Sequence, residues 1–168
     1  MIIRAVEAQD VDGVVDLVRT TLAEFGIVFG EGAQTDEQLQ HLPQSYTAAG
    51  GAFFVALDRE VLIGTAGVFP VEPGVFELRK MYLRPAARGH GAGQRLLDAC
   101  LAHVRARGGQ QVVLDTTERM TAAIAFYERN GFVRDDTQRR ASRCSRGYRL
   151  DLLGTRETHE IAQKPSNL

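Results

Sequence analysis

The chain has 168 residues, of which 44% are hydrophobic and 24% charged, a balance that fits one globular domain able to bury a real core. Its 20 Lys and Arg nearly cancel its 21 Asp and Glu, so no global field points to nucleic acid or to a membrane surface. No apolar run reaches the length of a membrane span, and the start, Met1-Ile-Ile-Arg-Ala-Val-Glu7, lacks the basic and apolar regions of a signal peptide. Cys100 and Cys144 lie far apart and without metal-ligand spacing, so a reduced, cytoplasmic protein with no bound metal is expected.

Ile2 to Val6 predicts a first strand. Asp10 is placed to cap a helix over Val11 to Phe25, whose Val11, Val14, Val15, Val18 and Leu22 recur at helical spacing. Residues 26–35 read as a loop. Thr35 or Asp36 could cap a second helix, interrupted by Pro43, that runs toward Ala49. Ala52–Leu57, Val61–Phe69 and Val75–Leu83 then form three strands with short connections, an antiparallel meander. Leu96, Leu97, Cys100, Leu101 and Val104 share one face of a helix that Gly108-Gly109 ends. Gln111–Asp115 is a short strand with a buried centre, and Thr121–Arg129 a helix ended by Asn130-Gly131. Phe132-Val133 and Tyr148–Leu153 are the last strands, and 154–168 reads as a polar tail. The order β-α-α-β-β-β-α-β-α-β-β makes one α+β domain over 1–153, a mixed sheet with helices on its faces.

Between the third meander strand and the helix that follows lies Arg88-Gly-His-Gly-Ala-Gly93. A glycine turn running into a helix start aims several main-chain N–H groups at one point and adds the positive end of the helix dipole, which predicts a phosphate site. The spacing is not that of a Walker loop, because Gly93 is followed by Gln94 and Arg95. It is not a dinucleotide fingerprint either, since a glycine is required where Gln94 stands. The alternative is a merely flexible turn. In the preceding strand Phe76 and Leu78 alternate, as do Met81 and Leu83, but the step from Leu78 to Met81 is three. If all four face one core, a β-bulge must absorb the extra residue and free main-chain amides for a ligand. The alternative is that Tyr82 is the core residue.

The run Glu77-Leu-Arg-Lys-Met-Tyr-Leu-Arg-Pro-Ala-Ala-Arg-Gly-His-Gly-Ala-Gly93 resembles the acetyl-CoA-binding motif of the GNAT superfamily of acyl-CoA-dependent N-acyltransferases. The later run Ala122-Ala-Ile-Ala-Phe-Tyr-Glu-Arg-Asn-Gly-Phe132 resembles that family's second cofactor motif. Two motifs in order and in register are more specific than either alone, and the element order matches from residue 2 to about 153. The resemblance implies a mostly antiparallel, splayed sheet of about seven strands with about four helices, and acetyl-CoA as co-substrate. It implies a cofactor-binding set of Met81, Tyr82, Leu83, Arg88, Gly89, His90, Gly91, Ala92, Gly93, Gln94, Thr116 and Tyr127. In that set the amides of Met81 and Leu83 hold the pantetheine arm and those from Arg88 to Gln94 the pyrophosphate. Many members carry an asparagine about seven residues before the tyrosine; here Met120 stands there, and Thr116 or Thr117 could compensate.

The implied reaction is attack of a neutral amine on a thioester. It needs a base, an oxyanion donor and a donor to the leaving thiolate. Glu77 is the first candidate base, through a water, with Glu72 and Glu31 behind it; its alternative is a solvated strand-end glutamate. Tyr127 is the candidate acid, although a phenol of pKa about 10 is a poor proton donor to a thiolate of about 8.5. Neither cysteine sits in a nucleophile setting, so direct transfer is preferred to an acyl-enzyme. Arg139, Arg140, Arg143, Arg146 and Arg149 read first as a solvated hairpin, and second as a site for an acidic acceptor or for the cofactor's 3′-phosphate. The leading expectation is an N-acetyltransferase for a small-molecule amine or amino acid, with no nucleic-acid or membrane partner. A protein or peptide N-acetyltransferase, a non-catalytic acyl-CoA sensor and a nucleotide-phosphate binder are the alternatives. Dimerisation is common among similar proteins, so a homodimer stays open.

Overall fold

The computed structural model describes residues 1–152; Leu153 and the expected tail lie outside them. Among the described residues the strands are β1 (Ile2–Ala5), β2 (Ala52–Asp58), β3 (Val61–Glu72), β4 (Val75–Leu83), β5 (Gln111–Thr116), β6 (Val133–Arg134) and β7 (Arg146–Asp151). The α-helices are α1 (Val11–Glu24), α2 (Gln44–Thr47), α3 (Ala92–Ala106) and α4 (Thr121–Arg129). This is the expected chain order. The strands form one sheet, β1-β2-β3-β4-β5-β7-β6, in which β4 and β5 are parallel and the other neighbours antiparallel.

The helices cover both faces of the sheet. On one face Leu96, Leu97, Cys100 and Val104 of α3, with Ile124 and Tyr127 of α4, pack on Phe76, Leu78, Val112 and Leu114. On the other, Val14, Val18 and Leu22 of α1 and Tyr46 of α2 pack on Phe53 and Val55. Cys100 is wholly buried, as a small hydrophobe. The β2–β3 hairpin turns on Arg59 and Glu60, both at positive φ, a two-residue loop whose twist matches that of the strands.

Two local expectations are corrected. Asp10 precedes α1 but makes no side-chain cap to it. Its carboxylate instead takes the Arg4 guanidinium at 2.7 and 3.0 Å and the Glu7 N–H at 2.8 Å, because a bidentate arginine outcompetes one amide. Residues 34–41 form a 3-10 segment rather than the start of a long helix, its cap position is Ala33, and Asp36 is fully buried.

The bulge is present. Thr65 pairs with Tyr82 and Gly67 with Arg79, so two steps on β3 match three on β4. Lys80 supplies the extra residue, with φ +52°. The Thr65 hydroxyl donates to the Lys80 carbonyl at 2.7 Å in a buried setting. Phe76, Leu78, Met81 and Leu83 consequently all face the α3–α4 core, and Tyr82 packs toward the α1 core. Just before the bulge β4 leaves β5. Their pairing covers Val75–Glu77 with Gln111–Val113 and stops, while β4 runs on to Leu83 and β5 to Thr116. A wedge opens between them.

The Lys80 side chain bolts that wedge to the loops at its mouth. Its ammonium meets the Asp36 carboxylate, which also takes Arg143 at 2.8 and 3.0 Å and the Gly30 N–H at 2.7 Å. Burial acts to raise the Asp36 carboxyl, but Arg143 and Lys80 outweigh it and hold it below the usual carboxylate range. Burial also pushes the Lys80 ammonium below the ordinary lysine range, against the pull of Asp36.

Asp36→Ala strands the buried Lys80 and the half-buried Arg143 and should cost about 3–5 kcal/mol by urea denaturation. Because native Asp36 binds its proton less tightly than the unfolded chain does, its stabilisation is complete above the unfolded pKa of about 3.9 and is lost as pH falls through the native value. The wild-type urea midpoint should therefore drop below about pH 4 more steeply than that of Asp36→Asn. Parallel acid limbs for the two proteins would refute this role.

Candidate active site

The wedge forms a cleft of about 1100 Å³. One wall is Glu77 to Tyr82 of β4, another Leu114 to Thr117 at the end of β5, and Tyr127 of α4 lines it too. Residues 32–35, Glu37, Gln38 and residues 140–144 line much of the rest.

The main chain shapes the first half. Arg84 N–H bonds Ile63 O across to β3 at 2.9 Å, so strand alternation turns the Leu83 N–H to the opposite edge, where β5 has diverged. Pro85–Ala87 makes a single 3-10 turn. Gly89 and Gly91 then take φ +78° and +84°, a left-handed region that a side chain strains. A Cβ on either would meet nothing within 4 Å. α3 starts at Ala92 with Gly91 as its cap and no capping side chain. Among the described residues the N–H groups of Gly89, His90, Gly91, Ala92, Gly93 and Gln94 have no acceptor. The result is a row of free donors at a helix N-terminus beside open space.

Arg88 stands apart from that row. Its N–H bonds Pro85 O at 3.3 Å. Its guanidinium takes Glu24 at 2.9 and 3.0 Å and the Leu83 carbonyl at 3.2 and 3.0 Å, which staples the turn to α1 and to the strand end. His90 is exposed. The Gln94 side chain bonds Asp98 one turn on at 3.0 Å. Thr116 is buried and turns its hydroxyl to the Met120 sulfur at 3.8 Å, both residues lining the cleft. Thr117 accepts the Arg119 N–H at 3.5 Å.

Side chains shape the second half. Tyr127 is buried against Phe126 and Phe132, with ring centroids 5.8 and 5.7 Å away, and burial pushes its phenol well above the ordinary value. Glu77 is likewise buried, its side chain only 7% exposed. Its Oε1 accepts from Arg79 Nε at 2.9 Å, its Oε2 lies 3.5 Å from Arg140 Nε, and that second oxygen takes no hydrogen bond. Glu77 is thus no solvated strand end. Glu72 is exposed, 3.6 Å from Arg140. Glu31 is exposed as well, and its carbonyl accepts from Arg143 at 3.1 Å. Neither lines the cleft.

The first reading of the arginine segment is corrected. It is not a solvated hairpin, since Arg143 is bound to buried Asp36 and Arg140 reaches Glu77 inside the cleft. Pattern alone missed this because the partners lie far away in the chain. It also missed Asp115, whose carboxylate accepts the N–H groups of Arg140 and Ala141 at 2.7 Å each and so positions that loop. Cys144 lines the cleft, but burial, with Asp115 adding to it, pushes its thiol up to about 12. It stays protonated and is no nucleophile.

Comparison with known proteins agrees with this geometry. The model of the acetyltransferase (GNAT) family matches residues 16–132. An uncharacterized N-acetyltransferase of Escherichia coli, YjgM, is 32% identical over 135 residues, 78% of this chain and 81% of that one. A crystal structure of a GNAT-family acetyltransferase from Staphylococcus aureus superposes with a TM-score of 0.83 at 21% identity, covering 90% of this chain and 98% of the other. The yncA protein of Salmonella typhimurium, solved with its cofactor acetyl-CoA, gives a TM-score of 0.73 at 18% identity, covering 90% and 94%. A family match over most of the chain, on the fold that this family adopts, makes the protein an acyltransferase of the acetyltransferase (GNAT) family.

Proposed function

We propose that the protein moves an acetyl group from acetyl-CoA to the primary amine of a small molecule, by direct attack with both substrates bound. One observation carries the reading: a row of unpaired main-chain donors, from the bulged strand through the glycine turn, leads into a cleft that holds a buried carboxylate and a buried tyrosine. The donors suit a diphosphate and a pantetheine arm, because both need N–H groups and little side-chain bulk.

The roles follow from position. The Met81 and Leu83 amides face the wedge and bond the pantetheine arm, and the N–H nearest Met81 meets the thioester carbonyl as its oxygen gains charge. The N–H groups of Gly89 to Gln94 hold the diphosphate. Glu77, whose Oε1 accepts from Arg79, takes the amine proton. A nitrogen–carbon bond forms as the carbon–sulfur bond breaks, and the thiolate leaves. Tyr127 stays neutral because burial raises its phenol. It is too weak an acid to give up the proton outright, so it donates a hydrogen bond to the departing sulfur and solvent supplies the proton. The protonated thiol of Cys144 supports direct transfer over an acyl-enzyme. Both cysteines are unpaired, which favours a reducing cytoplasm.

Glu77→Gln should lower kcat/KM by about 10²–10⁴-fold in a free-thiol assay with an amine panel. Tyr127→Phe should give a smaller loss, and acetyl-CoA binding should be little changed in either variant. Thiol release that never exceeds the uncatalysed rate, with acetyl-CoA still bound, would replace this reading with an acyl-CoA sensor. Tight ATP binding without a thermal shift from acetyl-CoA would replace it with a nucleotide binder.

Gly91→Ala separates folding from binding. Its Cβ meets nothing in the protein, so the folding cost is the left-handed backbone alone, about 1–2 kcal/mol. Acetyl-CoA binding should weaken about tenfold or more by calorimetry. Unchanged affinity would move the diphosphate elsewhere.

A further inference from the structure

We propose that the acceptor is a free amino acid, its ammonium received by Glu77 and its carboxylate by Arg140. This rests on the acetyl-transfer reading above and names the substrate class of the same site.

The first support is Glu77 itself. Its side chain is 7% exposed, it lines the cleft, and its Oε2 takes no hydrogen bond. A buried, charged oxygen left without a donor is costly and rare in native proteins. An ammonium supplies that donor directly, and places the amine where Glu77 also takes its proton.

The second support is Arg140. The other cations on the cleft wall are committed. Arg79 bonds Glu77 Oε1 at 2.9 Å and Gln38 at 3.1 Å and lies over the Phe69 ring at 4.3 Å. Lys80 and Arg143 are bound to Asp36. Arg140 bonds the Gln138 carbonyl at 3.1 Å, but its carboxylate contacts are long, 3.5 Å to Glu77 and 3.6 Å to Glu72. Charge-assisted pairs settle at about 2.7–2.9 Å, so this guanidinium retains unused donor capacity. Its backbone is nonetheless fixed, because Asp115 accepts the N–H groups of Arg140 and Ala141.

Glu77 Oε2 and Arg140 Nε therefore present opposite charges 3.5 Å apart in the cleft. A zwitterion that enters exchanges one long contact for two short ones and adds no net charge. A simple amine satisfies Glu77 but draws it away from Arg140, which is left without a mate. A peptide N-terminus does the same, since its nearest carbonyl is an uncharged amide. A plain dicarboxylate meets Glu77 with like charge. The nearby lining residues Gln34, Thr35, Gln38 and Ser142 are polar, which suits a small polar acceptor.

The test uses matched acceptors at saturating acetyl-CoA: free amino acids of each side-chain class, the carboxamide of each, the decarboxylated amine of each, and a short peptide. At least one amino acid should exceed both of its carboxylate-free partners and the peptide in kcat/KM by about tenfold or more, through KM. Arg140→Gln, with its fold checked by circular dichroism, should collapse that ratio toward one. Arg140→Lys should fall between, because it keeps the charge and loses the planar fork. Carboxamides, amines or peptide accepted as well as the amino acid would overturn the proposal, as would an Arg140→Gln variant depressed equally on all of them; in either case acetyl transfer stands. If no acceptor is turned over, the transfer reading fails and this inference falls with it.

Discussion

The structure turns on one residue held in an unfavourable backbone conformation. Lys80 sits at φ +52° in the middle of β4, where a left-handed non-glycine residue costs about 1–2 kcal/mol. Two fixed partners hold it there, the Thr65 hydroxyl on its carbonyl and the Asp36 carboxylate on its ammonium. The extra residue lets Phe76, Leu78, Met81 and Leu83 all face one core. It also lies where β4 parts from β5. Without that parting the edge of β4 from Leu78 to Leu83 would be covered by a neighbouring strand, and its amides would be consumed in the sheet.

The same residue joins the two halves of the site. Through Asp36 it connects the cofactor strand to the loop carrying Gly30 and, by way of Arg143, to the loop before β7. Both loops line the cleft. A single fully buried anion thus sets the separation of three segments that lie far apart in the chain. An apolar contact would be indifferent to small shifts, whereas a bidentate arginine and an ammonium on one carboxylate fix direction as well as distance. The arrangement trades desolvation of three charges for a mouth of defined shape.

What the sequence made legible follows from the range of the interactions concerned. The meander, the amphipathic α1 and α3 and the glycine turn are written in local periodicity, and they stand where they were read. Even the bulge showed itself, as a step of three between Leu78 and Met81. The errors share one cause. Asp10, and Asp36 as the alternative to Thr35, fit the cap pattern because a short polar side chain before a helix satisfies free N–H groups, which is a local rule. In the fold each finds an arginine instead, Asp10 six residues away and Asp36 107 residues away. The solvated-hairpin expectation for the arginine segment fails in the same way, since nothing near Arg140 or Arg143 in sequence reveals Glu77 or Asp36 across the cleft.

The two halves of the site differ in how much side-chain identity they need. The proposed cofactor half consists of main-chain N–H groups on a bulge and on a turn whose glycines leave room. It lies on a short contiguous run, residues 77–94. The proposed acceptor half is assembled from side chains on β4, on the 30–38 segment and on the 140–144 loop. Its selectivity resides in which charges remain unsatisfied after those segments meet, and that is a property of the assembled ion pairs. Arg143 and Arg140 are three residues apart in one arginine-rich loop, yet Arg143 is spent on Asp36 while Arg140 keeps donors free. Membership of the family therefore constrains the acyl donor far more tightly than the acceptor, and the acceptor has to be argued from the residual charge at Glu77 and Arg140.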